Sequence, residues 1–141
     1  VFASRTRLEA HVARQYLADA FLNTFMYSGF NTAAMALWCG VPVVAWEGRS
    51  FATRGAQSAL AAAGVEELVA SDDAAYRETA TRLARDESFL RSVRGRLSRE
   101  QLRQTLFAGE RNIRYIERAL EGMVQRRRDG EPPGPFTVAV E

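Results

Sequence analysis

The segment Tyr27-Ser28-Gly29-Phe30-Asn31-Thr32 sets a glycine break directly ahead of a helix-forming run, Ala33 to Cys39, and holds the best-placed chemistry in the chain. The first-turn amides of a helix have no intrahelical acceptor and lie at the positive end of its dipole, so they suit a diphosphate. Asn31 and Thr32 would add side-chain donors. The plainer reading is an ordinary helix start in which Asn31 or Thr32 caps the free amides. His11 is the single histidine, which excludes a zinc site built on a histidine pair and leaves no Ser-His-Asp arrangement above chance. On its residues alone it reads as a packed or exposed helix position. All 19 basic residues are arginine, so no lysine is present to form a Schiff base, grip a phosphate or act as a general base. The acidic pairs Glu66-Glu67 and Asp72-Asp73 are explained by capping more simply than by acid-base catalysis, and Arg91, Arg94, Arg99 and Arg103 by a solvated helix face.

These residues need elements to hold them. Leu8, Val12, Tyr16 and Leu17 recur at helical spacing and predict a first helix ending near Asp19, with Glu9, Arg14 and Gln15 turned elsewhere. Val1-Phe2-Ala3 reads as the end of a strand, and Ala20-Phe21-Leu22 as a short buried strand followed by the polar turn Asn23-Thr24. Gly40 stops the Ala33 to Cys39 helix, and a buried strand follows over Val41 to Trp46, with Pro42 near its start where no ladder donor is needed. A helix over Phe51 to Ala63 closes at Gly64, a short strand spans Glu66 to Ala70, and Ser71 or Asp72 caps a helix reaching Arg85. Strands this apolar, alternating with helices, predict an α/β fold: a Rossmann-like parallel sheet with helices on both faces. Beyond Asp86, stripes at Phe89, Leu90, Val93 and Leu97 and at Ile113, Ile116, Leu120, Met123 and Val124 predict two closing helices that pack back on the sheet, and Pro132-Pro133-Gly134-Pro135 forces an extended tail. The expected organisation is a partial Rossmann-like lobe over 1–86, C-terminal helices packing on it over 87–130 and an extended tail over 131–141.

With 141 residues, 47% of them hydrophobic and 26% charged, the chain fits a globular α/β unit and not a disordered, collagenous or disulfide-built one. Its net charge of +2 is too small to imply nucleic acid, and Arg126-Arg127-Arg128 has acidic neighbours at Glu121, Asp129 and Glu131, as a solvated helix end would. Cys39 is alone between Trp38 and Gly40, which fits buried filler better than a nucleophile. No run approaches the length of a membrane span, and residues 1–17 lack the pattern of a signal peptide, so no membrane partner and a cytoplasmic location are expected.

A family resemblance rests on an ordered series: Glu9-Ala10-His11-Val12, Leu17-Ala18-Asp19, Leu22-Asn23-Thr24, Leu37-Trp38-Cys39-Gly40-Val41-Pro42-Val43-Val44, Ala52-Thr53-Arg54, Val69-Ala70, Phe89-Leu90-Arg91-Ser92-Val93-Arg94-Gly95, Leu106-Phe107 and Val140-Glu141. In these residues the chain resembles the C-terminal catalytic half of protein O-GlcNAc transferases over its whole length. The resemblance implies the nucleotide-binding lobe of a GT-B glycosyltransferase, an inverting enzyme that moves a sugar from a nucleotide diphosphate to serine or threonine of proteins. It implies His11 against the uracil ring, Arg14 near the base edge, and Phe30, Asn31 and Thr32 at the diphosphate. UDP-GlcNAc is the implied donor, with no further cofactor and no metal. An N-terminal catalytic lobe and tetratricopeptide repeats that bind the protein acceptor are expected outside this chain, as in a bacterial homologue, and the chain alone is expected to be inactive, with no catalytic residue of its own. Leu22-Asn23-Thr24-Phe25 with Tyr27 and Gly29 also resembles the SPINDLY branch, which implies GDP-fucose as the alternative donor. Two positions depart from the family pattern: Met35 stands where an acid holds the ribose hydroxyls, and Leu8 where a lysine is expected. A degenerate, non-catalytic lobe with Phe30 and Met35 filling the ribose pocket is therefore the rival reading.

Overall fold

The computed structural model describes residues 3–139, so Val1 and Phe2 of the strand expected at Val1-Phe2-Ala3 and the resemblance at Val140-Glu141 lie outside the described residues, and Ala3 is not in a strand. By internal contacts the chain divides into two units, the first running to Leu106 and the second starting at Phe107.

The first unit is built on three short parallel strands in the order β1 (Phe21–Leu22), β2 (Val43–Trp46), β3 (Val69–Ala70). Phe21 pairs with Val43 and Leu22 with Val44, and on the other side Ala45 pairs with Val69 and Trp46 with Ala70. Each connection is a helix-containing crossover, as parallel pairing requires: α2 (Asn31–Trp38) joins β1 to β2, and α3 (Gly55–Ala63) joins β2 to β3. Around these stand α1 (Leu8–Gln15), α4 (Asp73–Arg85), α5 (Glu87–Arg96) and α6 (Arg99–Gln104). The core is one apolar cluster in which Leu37, Val43, Val44, Leu60, Leu68, Leu83, Val93 and Leu102 are almost fully buried, so α5 and α6 belong to the same packing as the sheet. Burying an aliphatic side chain of this kind contributes about 1.5–3 kcal/mol relative to exposure, which makes this cluster the main source of the unit's stability.

The glycine stops hold. Gly40 and Gly64 follow α2 and α3 with φ of +73° and +71°, the left-handed backbone that ends a helix without a Cβ clash. Several boundaries differ from the sequence expectation. The first helix ends at Gln15, because the Leu17 and Ala18 amides donate shorter-range bonds to the Arg14 and Gln15 carbonyls in a closing turn. β2 begins at Val43, since Pro42 has no donor; its carbonyl instead receives the Phe21 amide at 2.8 Å. The expected single helix over 51–63 is a 3-10 turn at Phe51–Thr53 followed by α3, the turn being fixed by reciprocal Ser50 and Thr53 side-chain bonds. The expected strand over 66–70 is mostly a 3-10 turn, Glu66–Leu68, because Glu67 faces Arg96 of α5 while Leu68 turns inward to the core. Leu22 is exposed, so β1 is buried on only part of its surface. Past Asp86 the expected stripe from Phe89 to Leu97 falls on α5 and its C-cap, and Ser98 then caps a further short helix, α6.

The second unit holds α7 (Gly109–Arg128) and a proline-rich return segment. Phe136 packs on Gly122, where an added Cβ would come within 2.9 Å of the ring, and the Arg126 guanidinium lies over that ring at 5.5 Å while also pairing with Glu131 at 2.7 Å. Arg126, Arg127 and Arg128 form the last turn of α7, where positive charge complements the helix dipole. No helix among the described residues is long and apolar enough to cross a membrane.

Candidate functional site

All three strands run in one direction, so their carboxyl ends define one edge of the sheet, the edge at which open parallel folds bind ligands. The loop leaving β1 there, residues 23–30, borders two clefts. One, of about 400 Å³, is lined by Leu22, Asn23, Thr24, Tyr27, Gly29, Phe30, Asn31 and Thr32 among others. The second, about 670 Å³, opens between Phe25, Met26, Trp46 and the residues from Glu47 to Ser50.

The first cleft ends on the start of α2, and here the structure corrects the expected cap. The N-cap residue is Phe30, and no side chain among the described residues caps the helix; neither Asn31 nor Thr32 does so. The first backbone bond of α2 runs from the Ala34 amide to the Phe30 carbonyl at 2.9 Å, so the amides of Asn31, Thr32 and Ala33 precede the ladder. The first turn carries no acidic residue. A helix start with open amides, an undiminished positive dipole end and exposed Asn31 and Thr32 can receive an anion.

What holds this loop was not apparent in the sequence. Asn23 and Ser28 are the buried polar residues of the described chain, 4% and 1% exposed. The Asn23 side-chain oxygen accepts from the Gly29 amide at 2.8 Å, and its amide group donates to Ser28 Oγ at 3.0 Å. Ser28 Oγ also accepts from the Ala56 amide at 2.8 Å, which satisfies a first-turn donor of α3. From α4, the Tyr76 hydroxyl donates to the Asn23 carbonyl at 2.8 Å, and burial pushes that hydroxyl's pKa up, keeping it a neutral donor. The only sequence signal was an asparagine placed directly after the apolar run of β1, at the point where a strand turns into a ligand-edge loop.

Two glycines set clearances. A Cβ on Gly29 would fall 2.5 Å from Thr32 Oγ1, so the loop and the first turn of α2 approach more closely than any side chain at 29 allows. A Cβ on Gly55 would fall 2.7 Å from the Phe30 ring, which also faces Phe51 at a centroid distance of 5.2 Å. Phe30 therefore lines the cleft while its ring packs on the start of α3.

Of the residues singled out from the sequence, Phe30, Asn31 and Thr32 come together in this cleft. His11 and Arg14 lie on α1, which packs against α2, and are not in the lining of that cleft. His11 is half-buried with no side-chain hydrogen bond among the described residues, whereas Arg14 donates to Thr6 Oγ1 at 2.9 Å and to the Ser4 carbonyl at 3.3 Å. Met35 is half-buried one turn into α2. Cys39 is buried, its thiol 3.7 Å from the Val12 carbonyl. The acidic pairs serve structure: Asp72 caps α4 by accepting from the Ala75 amide at 2.8 Å, Asp73 pairs with Arg77 at 2.9 Å, and Glu67 pairs with Arg96. The arginine series is less uniform than a solvated face. Arg91 pairs with Glu87, Arg94 with Asp19, and Arg99 and Arg103 lie over the Trp38 ring at 5.5 and 5.7 Å.

The chain is similar to known proteins over most of its length. The profile of glycosyl transferase family 41 matches residues 1–116. The UDP-N-acetylglucosamine--peptide N-acetylglucosaminyltransferase of Caenorhabditis elegans is 36% identical over 141 residues, which is all of this chain and 12% of that protein. A probable UDP-N-acetylglucosamine--peptide N-acetylglucosaminyltransferase SPINDLY of Solanum lycopersicum is 34% identical over 123 residues, 87% of this chain and 13% of that one. Among solved structures, an O-GlcNAc transferase of Thermobaculum terrenum carrying the K341M mutation superposes with a TM-score of 0.69 at 38% identity, covering 72% of this chain and 19% of that chain. The chain thus spans between an eighth and a fifth of the length of these relatives.

Proposed function

Because the chain belongs to glycosyl transferase family 41, we propose that it is the donor-binding lobe of a protein O-linked N-acetylglucosaminyltransferase, and that the cleft at the start of α2 receives the diphosphate of UDP-GlcNAc. The observation that carries this reading is the uncapped first turn of α2 at the carboxyl edge of a parallel sheet. In this reading the amides of Asn31, Thr32 and Ala33 face the diphosphate, Asn31 and Thr32 add side-chain donors, Phe30 closes one wall, and His11 and Arg14 on α1 take the uracil. An acceptor serine or threonine hydroxyl attacks the anomeric carbon, the bond from that carbon to the diphosphate oxygen breaks, and the hydroxyl proton leaves to solvent or to a base on the other lobe. Charge grows on the departing diphosphate, and the fixed amides stabilise it more in the transition state than in the ground state. No metal is needed for that role. The remaining lobe, tetratricopeptide repeats for the acceptor, and a cytoplasmic location complete the proposal, with 1–86 as the part that holds the donor.

Calorimetric titration of the full-length protein with UDP, GDP, UDP-GlcNAc and GDP-fucose tests it. Binding of the uridine pair supports the reading, preference for the guanosine pair moves it to a fucosyl donor, and absence of heat with all four ends it in favour of a non-catalytic lobe. Met35 is the residue that favours this last outcome, since a thioether cannot accept from ribose hydroxyls as a carboxylate does. His11→Ala in the full-length protein is expected to weaken UDP about tenfold, the effect of losing roughly 1.4 kcal/mol of contact; unchanged affinity removes His11 from the site.

A further inference from the structure

We infer that Asn23 is a positioning residue for the donor diphosphate, acting through the Gly29 amide; this rests on the reading of the α2 start as the diphosphate site. Five polar contacts converge on this one buried side chain and its backbone. Its side-chain oxygen takes the Gly29 amide at 2.8 Å, its amide group reaches Ser28 Oγ at 3.0 Å and the Thr24 carbonyl at 3.3 Å, and its own carbonyl takes the Tyr76 hydroxyl at 2.8 Å. The Asn23 amide continues the β1–β2 ladder to the Val44 carbonyl at 3.0 Å. One residue thus ties together the end of β1, the loop ahead of α2, the start of α3 through Ser28, and α4 through Tyr76.

The consequence for the site is directional. Bonding to Asn23 commits the Gly29 amide to a fixed acceptor and holds the chain two residues before the first free amide of α2. Thr32 Oγ1 then sits where a Cβ on Gly29 would be only 2.5 Å from it. With the loop fixed on that side, the following amides keep one orientation whether or not an anion is present, and no ordering cost is added when the diphosphate arrives. Without the Asn23 side chain, the Gly29 amide loses its acceptor and the Ser28 hydroxyl keeps only the Ala56 amide, so the loop gains a reason to turn toward water.

The test uses the full-length protein and three ligands. Asn23→Ala is expected to weaken UDP and to raise the KM for UDP-GlcNAc tenfold or more, while leaving the affinity for uridine, which lacks the diphosphate, within twofold of wild type. Asn23→Asp keeps an acceptor for the Gly29 amide and lets the Ser28 hydroxyl donate to it, so it is expected to recover most of the UDP affinity. Equal losses for UDP and uridine in Asn23→Ala would mean general damage to the lobe and would overturn the inference, as would wild-type affinity for both. If Asn23→Ala does not fold, Tyr76→Phe removes only the hydroxyl bond to the Asn23 carbonyl and keeps the ring; a threefold or larger loss of UDP affinity with uridine unchanged supports the inference, and no change refutes it. Wild-type protein that binds no nucleotide refutes the underlying reading of the site, a result separate from failure of the variants.

Discussion

The starts of α2 and α4 occupy equivalent places, each following a parallel strand at the same edge of the sheet, yet they are finished in opposite ways. At α4, Asp72 accepts from the Ala75 amide, and Asp73 adds a second negative charge in the first turn. At α2, the residues before and within the first turn are Gly29, Phe30, Asn31 and Thr32, uncharged and without a side-chain cap among the described residues. A cap contributes about 1 kcal/mol, and an acidic first turn a further 0.3–1 kcal/mol. The first unit therefore forgoes at α2 a stabilisation it uses at α4, α5 and α6, where Asp72, Asp86 and Ser98 cap in turn. An anion and a side-chain cap compete for the same first-turn amides, and in the first unit α2 leaves those amides without a side-chain cap where α4, α5 and α6 do not.

That contrast can be broken by making α2 resemble α4. Asn31→Asp is isosteric and brings a carboxylate into the first turn of α2. It is expected to weaken UDP by tenfold or more in calorimetry of the full-length protein, while raising thermal stability slightly because the dipole favours the new charge. Loss of affinity accompanied by loss of stability would refute the competition. The reverse change, Asp72→Ala, is expected to lower stability by about 1 kcal/mol in urea unfolding and to leave UDP affinity unchanged, with Asp72→Asn close to wild type because asparagine caps as well. A smaller effect concerns acid. The Ser88 hydroxyl and the Phe89 amide donate to the Asp86 carboxylate at 2.6 and 2.9 Å, and with Arg82 they hold its pKa below the ordinary 3.8. Since the folded value lies below the unfolded one, this contribution is complete above the ordinary carboxylate value and is lost as pH falls through the folded value. Asp86→Asn, which cannot titrate, is expected to flatten the stability profile only in that acid range.

The alternation of strands and helices was legible because it depends on local signals: apolar runs, and glycines at 40 and 64 that take left-handed backbone. The Asp72 cap was legible for the same reason. The site itself was half legible. Asn31 and Thr32 were rightly placed at a helix start, but their types fit a cap equally well, and only the observed backbone separates a capped start from an open one. Asn23 was read as part of a polar turn, since its significance comes from Tyr76, 53 residues away, and Ser28 gains its role from Ala56, 28 residues away. Contacts of that range leave no periodic trace. The strand expected over Glu66 to Ala70 shortened for a similar reason, as Glu67 is drawn to Arg96 at a separation of 29 residues.

The packing of Phe30 on Gly55 gives the cleft a coupled wall. The ring has backbone behind it, with no room for even a methyl group at 55, so the width of the cleft is gauged by α3 as much as by the loop that borders it. A smaller residue in place of Phe30 alone leaves a gap over Gly55, and any side chain at 55 displaces the ring. Residues 30 and 55 thus form a single adjustable unit: a smaller residue at one permits a larger one at the other, and their effects on donor affinity will not add.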